Sequence, residues 1–343
     1  MSSNPPTDGI HLADEFLDRS TPASRARDIL LRYPALSPAI VLVIAVIIFG
    51  ALNSNFLAPN NLSLIAQQVA IVGTVAAAQT IIILTAGIDL SVGAAMVFAS
   101  MVMAQLAATA GGLPAVIALF IGFVVAMATG ALNGLLVTRL KLPPFIATLG
   151  TLNIFVALTL LYSGGQTVIG ADLPALLTWT GQAIEIGGVR VTTGVLIMVA
   201  VYIALAFMLG RTAWGRHVYA VGDDKDAARL AGIRVDRVLM SVYIAAGAIL
   251  AIAAWLQIGR SNAAGPNAAA DINLDSITAV VIGGTSLFGG RGIIWGTLLG
   301  ALIVGVFRNG LSLAGVDTLY QTLAVGVLVI AAVSVDHWIR KAK

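Results

Sequence analysis

The stretch YPALSPAIVLVIAVIIFGALNSNFLAPNNLSLIAQQVAIVGTVAAAQTIIILTAGI, residues 33–88, holds no formally charged side chain between Arg32 and Asp89. A helix crossing a bilayer needs about 20 apolar residues, so this run is long enough for two crossings, with NSNFLAPNN (53–61) as the break between them. Further uncharged runs separate Asp89 from Arg139, Lys141 from Asp172, and Arg237 from Arg260. The whole chain of 343 residues is 59% hydrophobic and 10% charged, with a mean hydropathy of +0.97. Soluble domains are roughly a quarter charged, so a water-soluble globule is excluded. Only 6% of residues are aromatic and 36 are glycine, which suits helices packed closely through small residues. The predicted class is an all-α polytopic membrane protein.

Hydropathy, punctuated by Gly, Pro and Asn, predicts about ten segments. They are 36–52, 62–84, 92–109, 113–137, 144–162, 192–210, 238–258, 276–289, 293–312 and 318–335, some of them short or broken. The uncharged run behind 276–289, between Asp275 and Arg291, is too short for a comfortable crossing, so a tilted or interrupted helix is expected there. Placing the N-terminus inside puts Arg19, Arg25, Arg27, Arg32, Arg139, Lys141, the basic residues of 211–237, Arg291, Arg340, Lys341 and Lys343 on the inner side. Only Arg190 and Arg260 then fall outside, and Arg308 falls within a span. By the positive-inside rule both termini are cytoplasmic. Residues 1–35 read as a cytoplasmic tail with no cleavable signal, 36–335 as the transmembrane domain, and 336–343 as a second cytoplasmic tail. Residues 163–191, with Trp179, read as an interfacial lid on the outer face.

The chain has no cysteine and three histidines, His11, His217 and His337, all in polar segments. Disulfides, thiolate metal sites and an intramembrane histidine relay are therefore not expected, and neither is a cofactor or bound metal. Inside the spans, Gln67, Gln68, Asn133, Thr151, Asn153, Asn309 and Gln321 supply neutral donors and acceptors, which either line a solute path or bond helix to helix. Asp89, in TAGIDLSVG, is read both as a gate residue and as a cap on the span beginning near Ser91. Arg308 is placed near the outer interface, contacting headgroups, carbonyls or the path. In the inner loop 211–237, a short helix is expected from Asp223 to Leu230, with Asp223 or Asp224 as N-cap, Ala227 and Ala228 propagating it, and Gly232 as the stop. Such a helix suits a groove on a partner.

GRHVYAVGDDKDAARLAGI (215–233) resembles the coupling loop of permease subunits of binding-protein-dependent ABC importers, in particular the ribose-type sugar permeases. ILTAGIDLSVGAAM (83–96), RLKLPPFIATLGTLNIF (139–155), AVVIGGTSLFGGRGIIWGTLLGALIVG (279–305) and NGLSLAGV (309–316) are similar to the same family in coherent order. The resemblance implies a permease translocating a ribose-like or related sugar across the bacterial inner membrane. It also implies a second permease copy as partner, an extracytoplasmic sugar-binding protein and a cytoplasmic ATP-binding subunit. Contact with that subunit would be carried by Asp223, Asp224, Asp226, Ala227, Ala228, Leu230 and Gly232. GGTSLFGGRG (283–292) lacks the Lys-Ser/Thr of a phosphate-binding loop, so nucleotide binding is assigned to the partner and no enzymatic site is expected.

Three other functions compete with this one. A secondary transporter driven by ions places ionisable residues at mid-membrane, whereas the acidic residues here lie in loops or at edges. An intramembrane enzyme would show H-E-x-x-H or G-x-S-x-G, and neither occurs. A permease of the same kind for branched-chain amino acids or a signalling sugar stays open. No nucleic-acid partner is expected.

Overall fold

The computed structural model describes residues 35–108, 112–268, 271–327 and 330. Residues of the two tails other than Ala35, and the end of the 318–335 segment, lie outside that set. The uncharged runs fold as helices because nothing in them competes for the backbone: prolines sit at helix starts, as Pro59 and Pro144 do, where a missing N–H costs nothing. The main helices are α1 (Leu36–Leu52), α2 (Pro59–Leu84), α3 (Val92–Ala108), α4 (Ala115–Thr138), α5 (Pro144–Ser163) and α6 (Thr193–Arg211). They continue with α7 (Ala213–Asp223), α8 (Lys225–Leu230), α9 (Val235–Ser261), α10 (Ile272–Ile282) and α11 (Ile294–Leu313), and residues 318–327 are helical as well. Six of these, α2, α4, α5, α6, α9 and α11, are long and apolar enough to cross a membrane.

Burial separates a centre from a rim. The most apolar window of α2 is 83% buried and that of α9 61%, against 28% for α4 and α5. Helix α2 packs on α6, α9, α10 and α11, and α9 in turn packs on α4. The rim helices turn Ile47, Phe120, Leu161 and Phe207 outward. Such a surface is costly in water and natural against acyl chains. Helix contacts at the centre rest on small residues. A side chain on Gly247 of α9 would strike the Ala126 carbonyl of α4, and one on Gly130 would strike the Tyr243 carbonyl. Lipid gives helices no hydrophobic reason to associate, so close backbone approach has to supply it through van der Waals contact.

One expectation is corrected in detail. The segment read as 276–289 is helical only as α10, which begins earlier, at Ile272, and stops at Ile282. Beyond it Gly284, Gly289, Gly290 and Gly292 all have positive φ, a conformation no helix continues through. The segment 163–191 has structure of its own. It carries a hairpin, β2 (Ala183–Ile186) with β3 (Val189–Thr192), turned by Gly187 and Gly188 with both φ positive. A two-residue strand β1 (Val168–Ile169) pairs with β4 (Ala263–Ala264). Trp179 stacks on Trp255 of α9 at 5.8 Å, and Trp255 Nε1 donates to the Leu176 carbonyl, so this segment is packed across the end of α9.

Gly247→Val is expected to cost about 1–3 kcal/mol through overpacking and to lower the unfolding temperature in detergent. Gly210→Ala, where a methyl meets open space, should not lower it. Equal melting of Gly247→Val and wild type would remove the close approach as a source of stability.

Candidate functional site

At one end of the bundle, three segments far apart in sequence converge on the last carbonyl of α2. The Gly290 N–H donates to the Leu84 carbonyl at 3.0 Å. Gly222 of α7 is packed so closely there that a side chain would collide with the same oxygen. Gly289 and Gly290 hold φ of +85° and +67°, which lets the 283–293 loop turn back against Gly222 and Asp223. The Tyr219 hydroxyl donates to the Gly292 carbonyl at 2.9 Å, and burial pushes that phenol's pKa up, keeping the donor proton in place. Trp214 Nε1 donates to Ser241 Oγ at 2.9 Å and ties α7 to α9. Helix α7 presents Gly215, Val218, Val221 and Gly222 inward, the 3–4 spacing of one helical face.

The predicted short helix is present as α8, and a second helix, α7, precedes it. Asp223 closes α7, and Asp224 caps α8 by accepting from the N–H groups of Asp226 and Ala227 at 2.8 and 3.0 Å. Gly232, with φ +85°, ends the second. The sequence reading missed α7 because its start carries no run of helix formers; Thr212, which accepts from the Gly215 N–H, was the available cap signal. Of the predicted contact residues, Ala228 turns into the bundle, while Asp226 forms an exposed pair with Arg229 at 3.0 Å. Leu230 is 90% exposed, and so, at 81%, is Phe288 in the adjoining loop, a residue that no pattern in the sequence singles out.

Beside this junction lies a polar cluster. Asp89 is buried in the turn between α2 and α3, where its Oδ1 accepts from the Ser91 N–H and Oγ–H, both at 2.7 Å. Its Oδ2 accepts from Asn133 Nδ2 at 3.0 Å, and Asn133 Oδ1 accepts from Thr151 Oγ1 at 2.7 Å. Burial pushes the Asp89 carboxyl up, opposed by its hydrogen bonds from Ser91 and Asn133. The cap reading fits the Ser91 bond, and the same carboxylate joins α4 and α5 to the start of α3.

The opposite end holds a second polar set. Asn309 of α11 and Asn61 of α2 exchange reciprocal amide bonds, both at 2.8 Å. Arg308 donates to Asp275 of α10 at 2.7 Å and lies 3.8 Å from Asp271. This corrects the expectation that Arg308 meets headgroups or carbonyls: because α10 starts at Ile272, Asp275 falls inside the bundle and only 6% of its side chain is exposed. Gln67 donates to Ser63 Oγ at 3.1 Å, and Ser63 in turn to the Arg190 carbonyl. The predicted path residues thus divide, with Asp89, Asn133 and Thr151 at one end and Gln67 and Asn309 at the other. Asn153 joins neither; it faces outward from α5 and donates to the Leu149 carbonyl.

A bundle with six helices of membrane length and an end segment clamped to its central helix defines a multi-pass membrane protein. The family described as branched-chain amino acid transport system / permease component matches residues 61–333, and the chain belongs to it. The fructose import permease protein of Rhizobium meliloti is 51% identical over 312 residues, 90% of this chain and 86% of its own length. The ribose import permease protein of Bacillus subtilis (strain 168) is 40% identical over 302 residues, 88% and 92% of the two chains. The D-allose transport system permease protein of Escherichia coli (strain K12) is 38% identical over 302 residues, 88% and 91%.

Removing Arg308 leaves the Asp275 carboxylate enclosed without its cation. Arg308→Ala is expected to cost about 3 kcal/mol, read by thermal unfolding in detergent, and Arg308→Ala with Asp275→Ala should recover a large part of the loss. A double variant no more stable than the single would rule out the ion pair as the cause.

Proposed function

We propose that this chain is the membrane-spanning permease subunit of a bacterial ABC importer, carrying a monosaccharide across the inner membrane as one of a pair of copies. Energy comes from a separate cytoplasmic ATP-binding subunit, and a sugar-binding protein delivers the solute on the outer side. The substrate class is supported by three relatives whose names specify fructose, ribose and D-allose import or transport. The family description names branched-chain amino acids, which makes that solute class the second reading. Ten crossings with both termini cytoplasmic are supported by the distribution of basic residues and by a helix within each of the ten apolar segments.

The observation that carries the coupling role is the clamp on the Leu84 carbonyl together with the exposure of Leu230 and Phe288. In this reading the ATP-binding subunit receives Asp223–Gly232 and the 283–292 loop in a groove. Closure of two such subunits on ATP moves α7 and α8. Because α7 touches α2 through Gly222, and the glycine loop hangs on the same carbonyl, the displacement enters the central helix directly. Helix α2, 26 residues long, spans roughly 39 Å at about 1.5 Å per residue and carries the motion to Asn61 and Asn309 at the far end. Two packings of one bundle, each favoured by a different partner state, are sufficient for alternating access. Neutral amides such as Asn61, Gln67 and Asn309 offer a sugar passing bonds and no deep trap.

The test is uptake into proteoliposomes holding this chain, its ATP-binding subunit and its binding protein, with labelled fructose, ribose, allose and leucine offered in turn. Sugar uptake that requires enclosed ATP is expected, and uptake of leucine alone would shift the assignment to the second reading. Gly222→Val and Leu230→Asp should each reduce sugar uptake at least tenfold while the protein still inserts and melts as a folded bundle. Undiminished ATP-driven uptake in both would remove the clamp from the mechanism.

A further inference from the structure

A groove of about 810 Å³ opens where α8 leads into α9 beside the end of α4. Arg139, Arg229, Arg234 and Arg237 line it, with Asp236 as the single acidic lining residue. Arg229 already holds Asp226. Among the described residues Arg139, Arg234 and Arg237 have no carboxylate within ion-pair distance, although all three are exposed at the same mouth. The lining changes character with depth. Met240 and Ile244 follow Arg237 along α9 at one-turn intervals and are half-buried in the groove wall, so Ile244 lies roughly 10 Å deeper than Arg237. Gly134 of α4 lies against Met240, placing this wall at the seam between two membrane helices. Exposed Leu135, Leu140 and Leu142 flank the mouth.

We propose that this groove holds the headgroup of an anionic phospholipid, its phosphate among Arg139, Arg234 and Arg237 and its acyl chains along Met240 and Ile244. Cationic side chains above an apolar wall match a molecule with a phosphodiester above hydrocarbon, and basic pockets between membrane helices are suited to such headgroups. Guanidinium is the favoured partner because its planar fork meets phosphate oxygens two at a time. An acidic face of a soluble partner would satisfy the arginines but has nothing to place against Ile244, which favours the lipid. The proposal rests on the orientation given above only for the choice of the cytoplasmic leaflet. Since Arg229 and Gly232 belong to both this groove and the α8 region, a lipid seated here would brace the segment through which the bundle is moved.

The experiment uses the purified, delipidated permease in detergent, without other subunits, and measures bound lipid by native mass spectrometry. Wild type should retain cardiolipin in preference to phosphatidylcholine, and inorganic phosphate should not displace it. Arg139→Gln with Arg237→Gln should weaken cardiolipin binding by about tenfold or more, while Arg139→Lys with Arg237→Lys keeps most of it. A photoreactive anionic lipid should label residues 229–244 of the wild-type chain, an arm that needs no variant to fold. The proposal is overturned by labelling elsewhere, by equal cardiolipin binding in the glutamine variant, or by displacement with inorganic phosphate, which would mark a small-anion site. If the ATP-binding subunit, added back in a second measurement, binds wild type and not the glutamine variant while cardiolipin binding is unchanged, the groove is assigned to that partner instead. None of these readouts depends on sugar transport, so failure here leaves the importer assignment standing.

Discussion

The carbonyl of Leu84 closes α2, the most buried of the six membrane-length helices, and it is where α7 and the 283–293 loop take hold. A helix leaves its last carbonyls without intrahelical donors. Here the Gly290 N–H satisfies one of them, and Gly222 packs against it so closely that any side chain would force the two helices apart. Water would offer the same oxygen a bond without connecting anything. A backbone donor from a distant loop converts the terminal requirement of α2 into a joint. In the proposed coupling, that joint is the point at which a peripheral segment reaches a helix whose residues 73–84 are all buried.

Packing and hydrogen bonding are divided through the bundle. Contacts between α4 and α9 are made between small residues, such as Gly130 and Gly247, while α2 is also bonded to α6 through Tyr202 and the Gly73 carbonyl and to α11 through Thr80 and Thr297. Further directional bonds lie at the ends: Asp89 with Ser91 and Asn133 at one, Asn61 with Asn309 and Arg308 with Asp275 at the other. A buried charge pair strongly resists separation, because parting it leaves each ion desolvated and alone. Arg308 and Asp275 therefore hold α10 to α11 as one piece, whereas the amide pair between Asn61 and Asn309 exchanges partners at lower cost.

The membrane class was legible in the sequence because the absence of charge over residues 33–88 is a property of composition, and ten apolar segments matched helices to within a few residues at most boundaries. Local signals were readable too: Asp224 caps α8 and Gly232 ends it. What escaped were features made by distant parts of the chain. Asp275 looked like a loop acid until α10 proved to start at Ile272, and its partner lies 33 positions away. Asn153 and Thr151 are neighbours of similar polarity, yet one faces outward and the other bonds Asn133. That distinction depends on which side of α5 meets α4, and α5 carries apolar residues all round. Phe288 gave no warning because an exposed aromatic acquires meaning only from what surrounds it.

The same limit explains why the solute is the least legible feature of the chain. A site that binds one sugar tightly needs several oriented polar groups enclosing it, and several polar residues of this bundle are already bonded to one another. Asn61 is bonded to Asn309, Asn133 to Asp89, Ser91 and Thr151, and Gln67 to Ser63 one turn away on α2, whereas the buried Gln79 amide has no hydrogen-bond partner among the described residues. Under the proposed importer reading a passage lined in this way discriminates weakly, as turnover requires, since a solute held firmly at mid-passage would stop the cycle. That reading places selectivity where the solute is captured and leaves the permease two packings of one bundle, switched from the joint at the Leu84 carbonyl.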